Sequence, residues 1–241
     1  MPGTAWNSVS GWRANLATKT DGTIWSWGPG GFGALGHDNE IPFSSPRQIP
    51  GTSWSNKTAH NVYGCYAIKT DGTLWTWGVG NNGQLGINDT SPRSSPVQIP
   101  GSWVEVRGGQ YRGLATKTDG TLWQWGRVSG GESGTNDNID RSSPYQIPGT
   151  QWDTTRFDAG LYTSAAFKTD GTLWVWGWNN HGQLGLNEPS SLYGVHHQLK
   201  FQEHRGIILV WDFTMEQQLK LMEHYGRGVI IMILSWVRMI E

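Results

Sequence analysis

Apolar and polar side chains alternate in short segments along the first 188 residues, and one pair of such segments returns four times. In its first copy Leu16-Ala17-Thr18 leads into Lys19-Thr20-Asp21-Gly22-Thr23, and Ile24-Trp25-Ser26-Trp27-Gly28 leads out. The decapeptide K-T-D-G-T-x-W-x-W-G recurs at Lys19–Gly28, Lys69–Gly78, Lys117–Gly126 and Lys168–Gly177, at offsets of 50, 48 and 51 residues. A period that long marks an array of stacked supersecondary units, none of which can bury its apolar face alone. Every unit opens on a tryptophan (Trp6, Trp54, Trp103, Trp152) that precedes the lysine by 13 to 16 residues. A Gly/Asn-rich loop follows the decapeptide, and then S-S-P-x-Q-I-P at Ser44–Pro50, Ser94–Pro100 and Ser142–Pro148. Proline at both ends restricts that segment to an outer strand.

Asp-Gly between two alternating segments predicts a hairpin closed by a two-residue type I′ turn. That register sets Thr20 opposite Thr23, Thr18 opposite Trp25 and Leu16 opposite Trp27. Trp25 and Trp27 then share a face with Leu16, as Trp75 and Trp77 do with Tyr66 and Ile68. Trp123 and Trp125 lie with Leu114, and Trp174 and Trp176 with Ala165 and Phe167. The opposite face holds Ile24, Leu74, Leu122 or Leu173 beside Ala17, Ala67, Ala115 or Ala166. A small residue repeated there predicts close approach by a neighbouring sheet. Each tryptophan buried between sheets contributes about 4–6 kcal/mol as an upper bound.

Composition fits this picture, with 16 tryptophans, 34 glycines and only 15% charged residues. The net charge of −1, with Lys and Arg spread singly, leaves no electrostatic footprint for nucleic acid, and no nucleic-acid partner is expected. Cys65 is the only cysteine, which excludes an intrachain disulfide framework and a cysteine-rich zinc site. The opening Met1-Pro2-Gly3-Thr4-Ala5-Trp6 lacks the basic and apolar regions of a signal peptide, and no apolar run is long enough for a membrane span. Localisation is accordingly expected to be cytoplasmic or virion-associated, with no membrane partner.

The D-G-T-x-W-x-W-G hairpin, the G-Q-L-G loops at Gly83–Gly86 and Gly182–Gly185, and the period near 50 resemble the regulator of chromosome condensation repeat. The resemblance covers roughly residues 1–188. It implies an all-β fold: an incomplete β-propeller of four blades, at about residues 6–53, 54–102, 103–151 and 152–190, followed by a non-propeller tail over 191–241. Two loops depart from the pattern, with Ala34 in place of glutamine and Gly130-Gly131-Glu132-Ser133-Gly134 lacking the leucine. Members of the family include a nucleotide exchange factor for a small GTPase and an inhibitor of β-lactamase, so fold alone does not select a function.

The pattern stops near residue 190, and a reading-frame change accounts for it. The third base of each codon joined to the first two of the next permits S-S-P-P-I-K-I-P-G-T-S-W from Gly194 to Gly206, and G-A-A-I-K-T-D-G-T-L-W-T-W-G from Met215 to Val229. Glycine is forced at Met222/Glu223 and Trp236/Val237, and leucine at His224/Tyr225. The tail is therefore expected to be an out-of-frame translation of a fifth repeat. Met1–Trp6 aligns with Ile49–Trp54, so the chain is read as opening in mid-repeat.

Candidate sites each have a plainer reading. His196 and His197, with His204 and His224, would be accidents of the shifted frame rather than metal ligands. Asn136-Asp137-Asn138-Ile139-Asp140 resembles part of a calcium loop but lacks its terminal glutamate and aligns with the Asn88-Asp89 connector. Gly28–Gly33 has no Lys-Ser/Thr for a phosphate loop. The four turn aspartates are explained by their turns, and no serine sits in a nucleophile elbow. Neither a catalytic residue nor a cofactor or metal ligand is assigned. Trp178, just past the decapeptide, is the candidate for an exposed ring that stacks on sugar.

The expected function is a non-enzymatic scaffold that binds another macromolecule, a protein, through the loops joining its strands, as in a virion or cell-surface component. A guanine-nucleotide exchange factor is the first alternative and carbohydrate recognition the second. Four blades of a ring leave two open flanks, which calls for self-association to cover them.

Overall fold

Turn chemistry sets the strand register. The computed structural model of the protein describes residues 5–128, 130–185, 195–200, 207–208 and 230–231. In the four hairpins only the glycine takes a positive φ, at 78° for Gly22, 81° for Gly72, 74° for Gly120 and 84° for Gly171, while the aspartate before it stays in the ordinary region. The Gly22 N–H donates to the Lys19 carbonyl at 3.1 Å, and the Lys19 N–H to that of Thr23 at 2.9 Å. This is a three-residue hairpin loop, a turn of ordinary hand closed by a glycine bulge, rather than the two-residue type I′ turn. The pairing consequently moves by one residue: Thr18 faces Ile24, Ala17 faces Trp25 and Asn15 faces Trp27. The alanine, not Leu16, shares the tryptophan face, and the same holds for Ala67 with Trp75, Ala115 with Trp123 and Ala166 with Trp174.

Four antiparallel sheets of four strands follow one another, each paired in chain order. The first contains β1 (Trp6–Gly11), β2 (Asn15–Lys19), β3 (Ile24–Gly28) and β4 (Phe43–Gln48); the second β5 (Trp54–His60), β6 (Gly64–Lys69), β7 (Leu74–Gly78) and β8 (Arg93–Ile99). The third contains β9 (Trp103–Gly108), β10 (Arg112–Lys117), β11 (Leu122–Gly126) and β12 (Arg141–Gln146); the fourth β13 (Trp152–Ala159), β14 (Thr163–Lys168), β15 (Leu173–Gly177) and β16 (Val195–Lys200). The S-S-P-x-Q segments are the outer strands β4, β8 and β12, as their prolines require. Beyond residue 190, β16 completes the fourth sheet, with Lys200 opposite Trp174 where Gln48, Gln98 and Gln146 stand opposite Trp25, Trp75 and Trp123. Strands β17 (Ile207–Ile208) and β18 (Ile230–Ile231) form a separate parallel pair.

The opening strands β1, β5, β9 and β13 lie against one another in order, so the sheets are the blades of a propeller with their first strands innermost. The core is distributed between blades rather than within them. Leu16, Ile24 and Ile49 of blade 1 pack on Trp54, Cys65, Ala67 and Trp77 of blade 2. Tyr66, Ile68, Leu74 and Ile99 of blade 2 then meet Trp103, Ala115 and Trp125 of blade 3, and Leu114, Leu122 and Ile147 meet Trp152, Ala166 and Trp176 of blade 4. Ala67, Ala115 and Ala166 are buried in these contacts, where a larger side chain would hold the sheets apart.

Candidate interaction face

Nearly every letter of the decapeptide has a structural task. The aspartate accepts from the threonine two residues on: Asp21 Oδ1 takes the Thr23 N–H at 2.9 Å and its hydroxyl at 2.6 Å. That hydroxyl in turn accepts from the Trp25 indole at 2.9 Å, and Trp75, Trp123 and Trp174 donate to Thr73, Thr121 and Thr172 at 3.0, 2.8 and 2.9 Å. These hydrogen bonds hold the carboxyls of Asp21, Asp71, Asp119 and Asp170 below the usual range, as structural acceptors. The lysine lies over two indoles, Lys69 Nζ being 4.9 Å from the Trp54 ring centre and 4.5 Å from that of Trp75. In blades 2 and 3 the second tryptophan latches onto the blade before it, whereas the buried Trp176 indole N–H of blade 4 has no such acceptor. Trp77 donates to the Ala34 carbonyl at 3.1 Å and Trp125 to that of Gln84 at 3.0 Å, each just ahead of the L-G pair in the preceding loop. The closing glycine lets an inner loop pass: a Cβ on Gly78, Gly126 or Gly177 would stand 2.3 Å from the carbonyl of Tyr63, Tyr111 or Tyr162.

With the decapeptide committed to the fold, what remains for recognition is the loops. The inner loops (12–14, 61–63, 109–111, 160–162) and the long loops after each W-x-W-G emerge at the same end of the blades. Val79, Arg127 and Trp178 donate backbone N–H groups to Tyr63, Tyr111 and Tyr162 at 3.0 Å each. That end is rich in aromatic and apolar side chains. Trp12 is 64% exposed, Phe32 49%, Ile41 58% and Leu161 38%. Arg13 lies over the Tyr63 ring at 4.6 Å, and Phe32 meets Tyr63 edge-on at 6.0 Å. Beneath them a cavity of about 150 Å³ opens between blades 1 and 2, lined by Arg13, Phe32, His60, Val62, Tyr63 and Cys65 among others. His60 bridges the two blades, with Nε2 3.0 Å from Ser10 Oγ and Nδ1 3.3 Å from Cys65 Sγ. Burial pulls its pKa down to about 4 and pushes the Cys65 thiol well up, so this pair is neutral and structural.

Trp178 is not the exposed ring. It stacks on Tyr162 at 4.6 Å with 24° between planes, and its indole edge lies where a Cβ on Gly130 would be, 1.9 Å from Nε1. The exposed indole among the described residues is Trp12, whose counterparts in the other inner loops are Val62, Gln110 and Leu161, so the ring carries no signal in the period. The Asp137 carboxylate is forked by Arg141 at 3.0 and 2.9 Å and also accepts from Thr135 and Ile139. Arg141 is the main reason its pKa falls to about 2, and the segment is a closed polar turn. His196 and His197 lie on β16, where only the backbone is described; His204 and His224 lie outside the described residues. No helix among the described residues is long and apolar enough to cross a membrane.

Blades of this pairing, packed tryptophan face against the leucines and isoleucines of the blade before, define an all-β propeller built from a repeat of about 50 residues. The family description "Regulator of chromosome condensation (RCC1) repeat" matches residues 21–63, 71–115 and 170–198, and a second of the same name matches 155–183. The chain belongs to the regulator of chromosome condensation repeat family. Among solved structures it is similar to human WBSCR16, with TM-score 0.71 and 24% identity over 82% of this chain and 53% of that one. It is also similar to yeast RCC1 (Prp20) in its crystal structure with Kap60, with TM-score 0.72 and 20% identity over 84% of this chain and 50% of that one. A structure of Prp20p from Saccharomyces cerevisiae, described with its binding properties to Gsp1p and histones, gives TM-score 0.72 and 19% identity over 84% and 52%. The chain thus spans about half the length of the solved structures it matches. Comparison with curated proteins finds no match.

Proposed function

We propose that this chain is a non-enzymatic protein-binding scaffold, and that its loop face around Trp12, Phe32 and Tyr63 is the recognition surface. The observation that carries the reading is the contrast between a decapeptide consumed by the fold and a loop end bearing exposed aromatic side chains. Exposed aromatic clusters with an arginine beside them are the composition of protein-binding hot spots. Near-identical units of low charge suit a structural component of a virion or cell surface. The test is binding to a protein array by the full chain and by a Trp12→Ser/Phe32→Ser variant. Specific binding lost in the variant, with unchanged thermal melting, is expected; equal binding by both rejects this face. Similarity to Prp20p, described with its binding to Gsp1p, motivates a second reading as an exchange factor. Release of labelled GDP from a small GTPase on adding the chain would favour that reading. Carbohydrate stacking on Trp178 loses support from the covered ring.

We also infer that residues from about 191 onward derive from a fifth repeat read out of frame. The register of β16 supports this: the lysine of the shifted I-K-I-P string is read from the Leu199/Lys200 codons, and Lys200 stands where Gln98 stands in blade 2. The shifted frame also forces glycine at Trp236/Val237, at the spacing of Gly86 after Gly78. Nucleotide sequence across codons 190–240 decides the matter, since a plus-frame without D-G-T-L-W-T-W-G rejects it.

A further inference from the structure

Each interior blade turns two different flanks to its neighbours. The leading flank carries the opening tryptophan, the repeated alanine and the second tryptophan of W-x-W-G; the trailing flank carries the leucine or isoleucine that follows D-G-T. These flanks fit one another three times within the chain, at the junctions of blades 1 and 2, 2 and 3, and 3 and 4. Blade 1 presents the same leading flank with nothing against it among the described residues. Val9 is 68% exposed, whereas Val106 and Phe157 at the same place in blades 3 and 4 are 0% and 2% exposed. Trp6 and Trp27 are half-buried where Trp54, Trp77, Trp103, Trp125, Trp152 and Trp176 are buried. Blade 4 shows the complement: Ala165 and Leu173 are half-buried where Leu114 and Leu122 of blade 3 are fully buried. Its loop carries Gln183-Leu184-Gly185 as blade 2 carries Gln84-Leu85-Gly86.

We propose that the leading flank of blade 1 docks on the trailing flank of blade 4 of a second copy of this chain. Trp27 then donates its indole N–H to the Gln183 carbonyl of the second copy, as Trp77 does to Ala34 and Trp125 to Gln84 within one chain. The occupant is specified by the repeat, because the only surface known to fit a leading flank is a trailing flank of the same kind. Such a contact is heterologous: the two copies use different surfaces. The inference uses the flanks of the blades and stands or falls independently of the loop-face function.

The experiment is sedimentation equilibrium on the full chain and on two variants, Val9→Glu on the leading flank and Leu173→Glu on the trailing flank. The unmodified chain is expected at twice its own mass or above, and each variant alone at its own mass. Mixed in equal amounts, the variants are expected to return to twice the chain mass, because one intact flank of each kind remains. An unmodified chain at single mass overturns the proposal, as does a mixture that stays at single mass. Variants that pair with themselves as well as the unmodified chain does would point to a different surface and overturn it too. Val9 is exposed, so its variant does not threaten folding; Ala165→Glu serves in place of Leu173→Glu if circular dichroism shows that protein to be unfolded.

Discussion

The junction between blades 1 and 2 and the junction between blades 3 and 4 are built on the same tryptophans, yet their inner ends are sealed by different chemistry. At the first, the neutral imidazole of His60 spans from Cys65 on its own blade to Ser10 on the other. At the second, Arg112 is buried and reaches across to blade 4, donating to Leu161 O at 3.0 Å, Gly160 O at 3.2 Å, Thr163 O at 2.6 Å and Ser164 Oγ at 3.3 Å. Behind it the buried Glu132 carboxylate lies 3.8 Å away. The repeat therefore imposes a common apolar contact, while residues that do not repeat decide how each junction responds to its surroundings. One rests on an imidazole that takes a proton only near pH 4; the other holds a permanent charge.

The largest way to break this contrast is Arg112→Ala. It leaves the Glu132 carboxylate buried without its counter-ion and the inner-loop carbonyls of blade 4 without their donor, which costs about 3–5 kcal/mol. Urea unfolding should show the loss, and a cost below about 1 kcal/mol would mean that the arginine seals nothing. Acid is the probe of the other junction. Unfolded, His60 takes a proton below about 6.5; folded, its pKa is about 4. Between those values the unfolded chain binds more protons, so stability is full above 6.5 and falls as the pH drops towards 4, by about 2 kcal/mol once screening at the exposed edge is allowed for. The turn aspartates contribute only below their ordinary value of 3.8, so they do not blur this window. In His60→Gln the slope between pH 6.5 and 4 should shrink to the part left by His37, whose pKa burial also lowers, and in Arg112→Ala it should persist in full. An unchanged slope in His60→Gln would remove the distinction between the junctions.

This contrast also marks what the sequence could and could not show. The period located the hairpins and the buried tryptophans, which are stated four times in the same order, and the three outer strands that carry S-S-P-x-Q; the fourth outer strand, Val195–Lys200, lies where the pattern had stopped. The register was misread by one residue because Asp-Gly supports two hairpin loops. Only the aspartate's conformation separates them, and the Thr23 hydroxyl and N–H hold it in the ordinary one. Arg112 was invisible for the opposite reason: it stands alone where Gly64 and Ala14 occupy the same place, and a single arginine in an alternating segment reads as an exposed side chain. Trp178 was misplaced because its cover, Tyr162, comes from a separate loop. Residues that do not themselves repeat, as Arg112 and Trp178 do not, leave no trace in a period.

The smallest prediction tests the shared half of the comparison. Thr73 in blade 2 and Thr121 in blade 3 each accept from an indole and donate to the turn aspartate, at nearly equal distances: 3.0 and 2.7 Å for Thr73, 2.8 and 2.5 Å for Thr121. Replacing either hydroxyl by a methyl in Thr73→Val or Thr121→Val removes both bonds and leaves a partly buried indole N–H without its acceptor. The cost is about 1–2 kcal/mol by the usual worth of such bonds. Because both belong to the repeated scaffold, the two variants should lose stability equally, within about 0.5 kcal/mol, and their double variant should lose the sum, since the sites share no partner. Melting of the three proteins under one condition measures this. Unequal losses would mean that the neighbouring junctions reach into the hairpins, and that the decapeptide is less independent of its surroundings than its fourfold recurrence implies.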